Sequence, residues 1–124
     1  MLFANGTFKV DLTPQQDAAC PAGRMLINKI YLGDIQGQGS GQMISKRLDN
    51  GVAVYYAIEE FLGSVKGKNG GFTLVHQGYM SKDSQSLEIS ILEGSGNGEL
   101  QAISGTMRII QDANGHSYEL SFKL

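Results

Sequence analysis

The sequence predicts an all-β fold closed as an eight-stranded antiparallel barrel, and three observations predict it. No segment keeps apolar residues at helical spacing for three turns, whereas period-two alternation recurs from end to end. Short turns rich in Gly, Asn and Asp separate most of the alternating segments, which suits hairpin after hairpin. The count is even, so the first strand can lie antiparallel beside the last and leave no exposed edge. The rival is an open two-sheet sandwich, which needs long crossovers. Only the loops around Cys20 and Ser95 are long enough to supply them.

The first strand is expected over about residues 6–13 (GTFKVDLT), with Phe8, Val10 and Leu12 on one face and Thr7, Lys9 and Asp11 on the other. Successive side chains of a strand point to opposite sides, so one face is core and the other water. PQQDAACPAG follows, and its two prolines have no N–H to give a ladder, which makes it a loop with room for a short helical turn. A second strand, about 24–35, alternates Met25, Ile27, Lys29 and Tyr31 against Leu26, Asn28, Ile30 and Leu32.

GDIQGQGSGQ has glycines at 33, 37, 39 and 41, but it matches neither a dinucleotide fingerprint nor a phosphate loop. It reads as a sharp bend or bulged hairpin before a third strand over about 42–48. Asp49, Asn50 and Gly51 turn the chain into a fourth strand, about 52–66, and KGKNGG turns it again into a fifth, 72–80. After SKDSQ a sixth, 87–92, sets Leu87, Ile89 and Ile91 against Glu88 and Ser90. EGSGNGEL leads to a seventh at about 106–112. The last, beginning at His116, sorts His116, Tyr118, Leu120, Phe122 and Leu124 from Ser117, Glu119, Ser121 and Lys123.

Composition narrows the function classes. At 124 residues the chain is long enough for one domain, spanning 1–124, with a core that needs no staples. Its 17 glycines are about twice average usage, in keeping with many turns and bulges. Ten basic against twelve acidic residues leave a net charge of -2, and no basic cluster exceeds Lys46 and Arg47, so nucleic acid is not an expected partner. Cys20 is the only cysteine, which excludes an intrachain disulfide. The longest apolar run, Val52 to Ile58, is far short of the roughly twenty residues of a membrane helix. MLFANGTFKV lacks a charged leader followed by an apolar core. The expectation is a cytoplasmic protein with no membrane partner.

The candidate site lies on the two central strands. Tyr55, Ala57, Glu59 and Phe61 share one face, and Phe72, Leu74, His76, Gly78 and Met80 share the face that meets it. A carboxylate and an imidazole then point into an apolar interior, where an unpaired polar group is costly. A turn centred near Lys68 and Asn69 sets position 59 opposite 78 and makes His76 a diagonal neighbour. If the Met25 to Tyr31 row is inward, Lys29 joins them, with His116 and with Tyr31, Tyr55 and Tyr118 as neighbours. The same parity puts Leu26, Ile30, Leu32, Tyr56 and Ile58 outside, and so much exposed apolar surface predicts self-association as a homodimer. The two histidines are forty residues apart with no ligand spacing, so no metal is expected.

At GSGNGELQAISGTMRI the pattern Gly-x-Gly-x-Leu-x-x-x-x-Gly-x-Met resembles the glycine motif of allene oxide cyclase and dirigent-type barrels. Over nearly its full length the chain more closely resembles an uncharacterised bacterial family of unknown function with an allene oxide cyclase-like β-barrel. GTFKV, GRMLINK, GDIQGQGSGQM, YAIE, GGFTLVHQG and HSYELSFKL carry that likeness. The chain departs from the family pattern at Gln42, where Glu is usual, and at Glu60, where a basic residue is common. The resemblance implies an eight-stranded barrel and no particular activity.

Three readings of function follow. In the first, a small barrel binds a small hydrophobic molecule in its interior, with Lys29, Tyr31, Tyr55, His116 and Tyr118 lining the site and no cofactor. In the second, Glu59 and His76 are the acid/base pair of an isomerase or cyclase. In the third, the interior polar groups form a structural network without a ligand. An open pocket touching Glu59 and His76, as against a sealed interior, separates them.

Overall fold

In the computed structural model, which describes residues 1–16 and 19–124, the alternating segments are long strands. They are β1 (Leu2–Pro14), β2 (Gly23–Gly33), β3 (Ile35–Arg47), β4 (Ala53–Val65), β5 (Lys68–Met80), β6 (Gln85–Ile91), β7 (Asn97–Gly98), β8 (Ser104–Asp112) and β9 (Gly115–Lys123). Eight of them form the wall in the ring order β1, β2, β3, β4, β5, β6, β8, β9, with every pairing antiparallel. β1 closes the ring against β9, from Leu2 opposite Phe122 to Phe8 opposite His116. The expected helical turn in the loop after β1 falls partly on residues 17–18, outside the described residues.

Three expected boundaries change, the first being that β1 begins at Leu2, not Gly6. β3 begins at Ile35, not Gln42, and the bend is the single residue Asp34 between β2 and β3. Gly37, Gly39 and Gly41 therefore lie within a strand, on its inward face, opposite Gly63, Phe61 and Glu59 of β4. The β4–β5 turn is also tighter than KGKNGG suggested. Lys66 and Gly67 take φ of 48° and 84°, the positive pair of a two-residue hairpin loop, so Val65 pairs with Lys68. Glu59 then faces Leu74 instead of residue 78. That shift of four positions is even, so every side chain keeps its expected face.

The interior is filled at one end only. Ile35, Val65, Phe72, Leu74, Tyr118, Leu120 and Phe122 pack together, and the segment from β6 to β8 contributes Leu100 and Ile103 as a plug. That segment is pinned to β5: β7 pairs with Gly70 and Gly71, and the Thr73 N–H donates to Ser95 Oγ at 3.0 Å. Fully burying a side chain of this size contributes about 1.5–3 kcal/mol, so this base carries much of the stability.

The wall has one short seam. The β6–β8 ladder consists of Ile89 opposite Met107 and Ser90 opposite Thr106. Continued in register it would set Leu87 opposite Ile109 and Gln85 opposite Gln111, but there the strands part.

Candidate functional site

Four of the predicted site residues meet midway along the barrel. Glu59 projects inward from β4 and has no solvent-accessible surface (0%), while Lys29 of β2 and His76 of β5 are 6% and 5% exposed. Lys29 Nζ donates to Glu59 Oε1 at 3.1 Å, and His76 Nε2 lies 3.0 Å from the same oxygen. The Tyr31 hydroxyl donates to Oε2. A carboxylate only accepts hydrogen bonds, so this geometry fixes Nε2 as the protonated nitrogen of His76. The Lys29 ammonium also sits 4.9 Å from the centroid of the Phe8 ring, a cation–π distance.

β3 makes room for the carboxylate by presenting bare backbone. A Cβ on Gly39 would stand 2.1 Å from Glu59 Oε2 and 3.1 Å from Tyr31 Cε2, so only glycine fits. The glycines that disguised the strand are what the buried acid needs beside it.

Electrostatically the cluster is a satisfied one. Burial alone would raise the Glu59 carboxyl, but the His76 hydrogen bond, the Lys29 charge and the Tyr31 hydrogen bond outweigh it and hold the group below its ordinary value. Burial pushes the Tyr31 hydroxyl strongly up, helped by the Glu59 charge and the bond to it, so Tyr31 stays a neutral donor. Among the described residues no buried side-chain nitrogen or oxygen lacks a partner.

The other predicted residues lie apart from that cluster or turn their polar ends away. Tyr118 packs edge-on against Tyr31, with ring centroids 5.6 Å apart, but its hydroxyl serves the backbone. It accepts from the Ile35 N–H at 2.8 Å and lies 2.9 Å from Leu32 O, stapling the one-residue β2–β3 link. Burial raises its hydroxyl. His116 is half-buried and stacks on Phe8 with centroids 5.1 Å apart. Tyr55 lies nearer the barrel mouth, its ring over Gly78, where a Cβ would come within 2.0 Å of it.

That mouth is open. A concavity of about 850 Å³ occupies the end opposite the plug, lined by Met25, Met43, Tyr55, Met80, Leu87 and Ile109, with Ser45, Lys46, Arg47 and Gln111 among its polar members. Its walls stop short of Lys29, Glu59 and His76. Sequence reasoning missed Met43, Arg47 and Ile109 as lining residues. The period-two row of glycines in β3 held the clue, because it carries the inward parity on through Met43, Ser45 and Arg47. Leu87 and Ile109 reach the concavity where the β6–β8 ladder has ended.

Among the described residues no group of three or more His, Cys, Asp or Glu could hold a metal ion. Nor is any helix among them long and apolar enough to cross a membrane.

A packed base, a buried ionic centre and an open mouth define the class: a small closed β-barrel, wide enough inside for side chains or for one small ligand. The chain belongs to the DUF3224 family, proteins of unknown function, whose profile matches residues 4–122. It is similar over its whole length to a solved structure of a protein of unknown function from that family in Shewanella oneidensis MR-1. The two share 34% identity over 100% of this chain and 97% of that one, with a TM-score of 0.93. Among curated proteins nothing matches the chain. The bacterial family expected from the sequence is thus the one found, and neither match names allene oxide cyclase.

Proposed function

We propose that the protein is a binding barrel whose mouth takes a small, mainly hydrophobic molecule. The observation that carries this reading is the asymmetry of the interior: side chains fill one end, while the other holds about 850 Å³ of mostly apolar concavity. That volume lies within the roughly 300–1,000 Å³ of small-molecule sites. Three methionines, Met25, Met43 and Met80, border it, and their flexible thioethers adapt to ligands of varied outline. The Lys29–Glu59–His76–Tyr31 cluster lies beyond the cavity and keeps its neighbouring strands in register. A cytoplasmic setting fits a chain whose only cysteine, Cys20, is an exposed free thiol.

The acid/base reading draws weaker support. Both oxygens of Glu59 are engaged by three donors, its carboxyl is held below the ordinary value, and no solvent reaches it. A general base works best with a pKa near the operating pH and within reach of its substrate.

The test uses N-phenyl-1-naphthylamine, an uncharged probe that fluoresces in apolar sites. The chain has no tryptophan, so Tyr55→Trp introduces a single indole at the mouth. Saturable probe fluorescence with matching loss of indole emission is the expected result. Absence of saturable binding, or binding without energy transfer from that indole, would remove the mouth as the site.

A further inference from the structure

The polar part of the mouth is one-sided in charge. The chain as a whole carries more acids than bases, twelve to ten. Yet Lys46 and Arg47 both line the concavity, and among the described residues no aspartate or glutamate does. Arg47 is the outermost residue of the inward row on β3 that includes Met43 and Ser45. Lys29 and His76 pair with Glu59, and Arg108 with Glu119, and among the described residues no carboxylate pairs with Lys46 or Arg47. Across the barrel the opening is bordered by Gln85, Ser86 and Gln111, which are uncharged, and below them by Leu87 and Ile109. Two cations on one rim of a mostly apolar cavity, with no acid beside them among the described residues, form an amphipathic receptor, since a low-dielectric wall strengthens the field that they set up.

From this we propose that the mouth selects amphipathic anions. The ligand would be a compact apolar body with one acidic group, the body lying on Met25, Met43, Tyr55, Leu87 and Ile109 and the acidic group at Arg47, with Lys46 adding charge nearby. The planar guanidinium offers paired donors that match the two oxygens of a carboxylate or sulfonate, which a lysine ammonium does not. This inference rests on the mouth-binding reading and names the ligand class that it takes.

The test compares two probes with the same aromatic body, 8-anilino-1-naphthalenesulfonate and uncharged N-phenyl-1-naphthylamine, titrated at low ionic strength. The sulfonated probe is expected to bind about twofold to fivefold more tightly, the upper range of an exposed ion pair. The advantage should shrink as salt is added. Arg47→Gln should remove it while leaving the uncharged probe unchanged. Lys123→Gln, on the outer face of β9, should alter neither and so excludes general surface pairing. Equal affinity of the two probes overturns the selectivity while leaving mouth binding in place. A preference that survives Arg47→Gln overturns the assignment to that residue. Failure of both probes to bind removes the mouth reading, and the selectivity with it.

Discussion

Replacing Glu59 by glutamine keeps the shape of the side chain and removes its charge, where Lys29 donates to one oxygen with 6% of its own surface exposed. The ammonium would then be buried without a counter-ion, and breaking a buried pair from one side costs about 3–5 kcal/mol. Because glutamine retains one carbonyl acceptor, the lower end of that range, about 3 kcal/mol, is expected. It is a large share of the roughly 5–15 kcal/mol that stabilises a typical domain. With a urea dependence of about 1–3 kcal/mol per molar, the unfolding midpoint should fall by about 1–3 M. Equilibrium urea unfolding is the assay, with N-phenyl-1-naphthylamine titrated against the same samples. Binding should persist in the folded variant, because the mouth lining does not include Glu59. Adding Lys29→Met removes the stranded charge, so the double variant should be more stable than the sum of the two single losses predicts, by about 0.5–3 kcal/mol. A loss under about 1 kcal/mol for Glu59→Gln, or strict additivity in the double variant, would refute the buried-pair reasoning. Loss of probe binding with the fold intact would return Glu59 to the working site.

Three further outcomes are expected. Gly39→Ala places a methyl where Glu59 Oε2 now lies, so overpacking should cost at least about 1–3 kcal/mol, whereas Gly23→Ala, with its nearest neighbour at 3.7 Å, should stay within about 0.5; equal urea midpoints would contradict the close approach. On acidification the unfolded chain protonates Glu59 first, because the folded carboxyl titrates below its ordinary 4.5. Its contribution is therefore complete above about pH 4.5 and lost as pH falls through the folded value, so wild type should lose more stability than Glu59→Gln over that window, measured by urea midpoints. Self-association through the outer face of β2 to β4 is expected, because Leu26, Ile30, Leu32, Tyr56 and Ile58 are 36–58% exposed there; a monomer by sedimentation at high micromolar concentration would count against it.

Much of the barrel was legible because hydrophobic alternation reports facing directly. Glu59, His76 and Lys29 were placed inside from parity alone, and an even error in register left that parity intact. Register itself was harder to read. Lys66 takes the positive φ that KGKNGG would sooner assign to one of its glycines, and the hairpin centre moved accordingly. β3 was hidden because glycine contributes nothing to a hydropathy pattern. The need for Gly39 arises from Glu59, twenty positions along the chain, and no local reading supplies it. The Tyr118 staple is equally non-local, reaching from β9 to the backbone at Leu32 and Ile35. The mouth was half visible: Met25 and Tyr55 were on inward rows, whereas Arg47 lay within the expected third strand but on no assigned face until Gly37, Gly39 and Gly41 extend the inward row to it.

The short β6–β8 seam has a dynamic consequence. The β3–β4 and β4–β5 ladders run the full 13 residues of β4, whereas β6 and β8 are laced together at only two positions. Opening free energies differ from one part of a protein to another, and the segment with the fewest ladder bonds breathes first. Amides on the facing sides of β6 and β8 should therefore exchange with deuterium well before those of β4. Each such fluctuation widens the wall beside Leu87 and Ile109, while the plugged base and the ionic centre stay closed. A molecule could then enter or leave sideways on the timescale of a local fluctuation, at a rate set by two rungs of a ladder and decoupled from global unfolding.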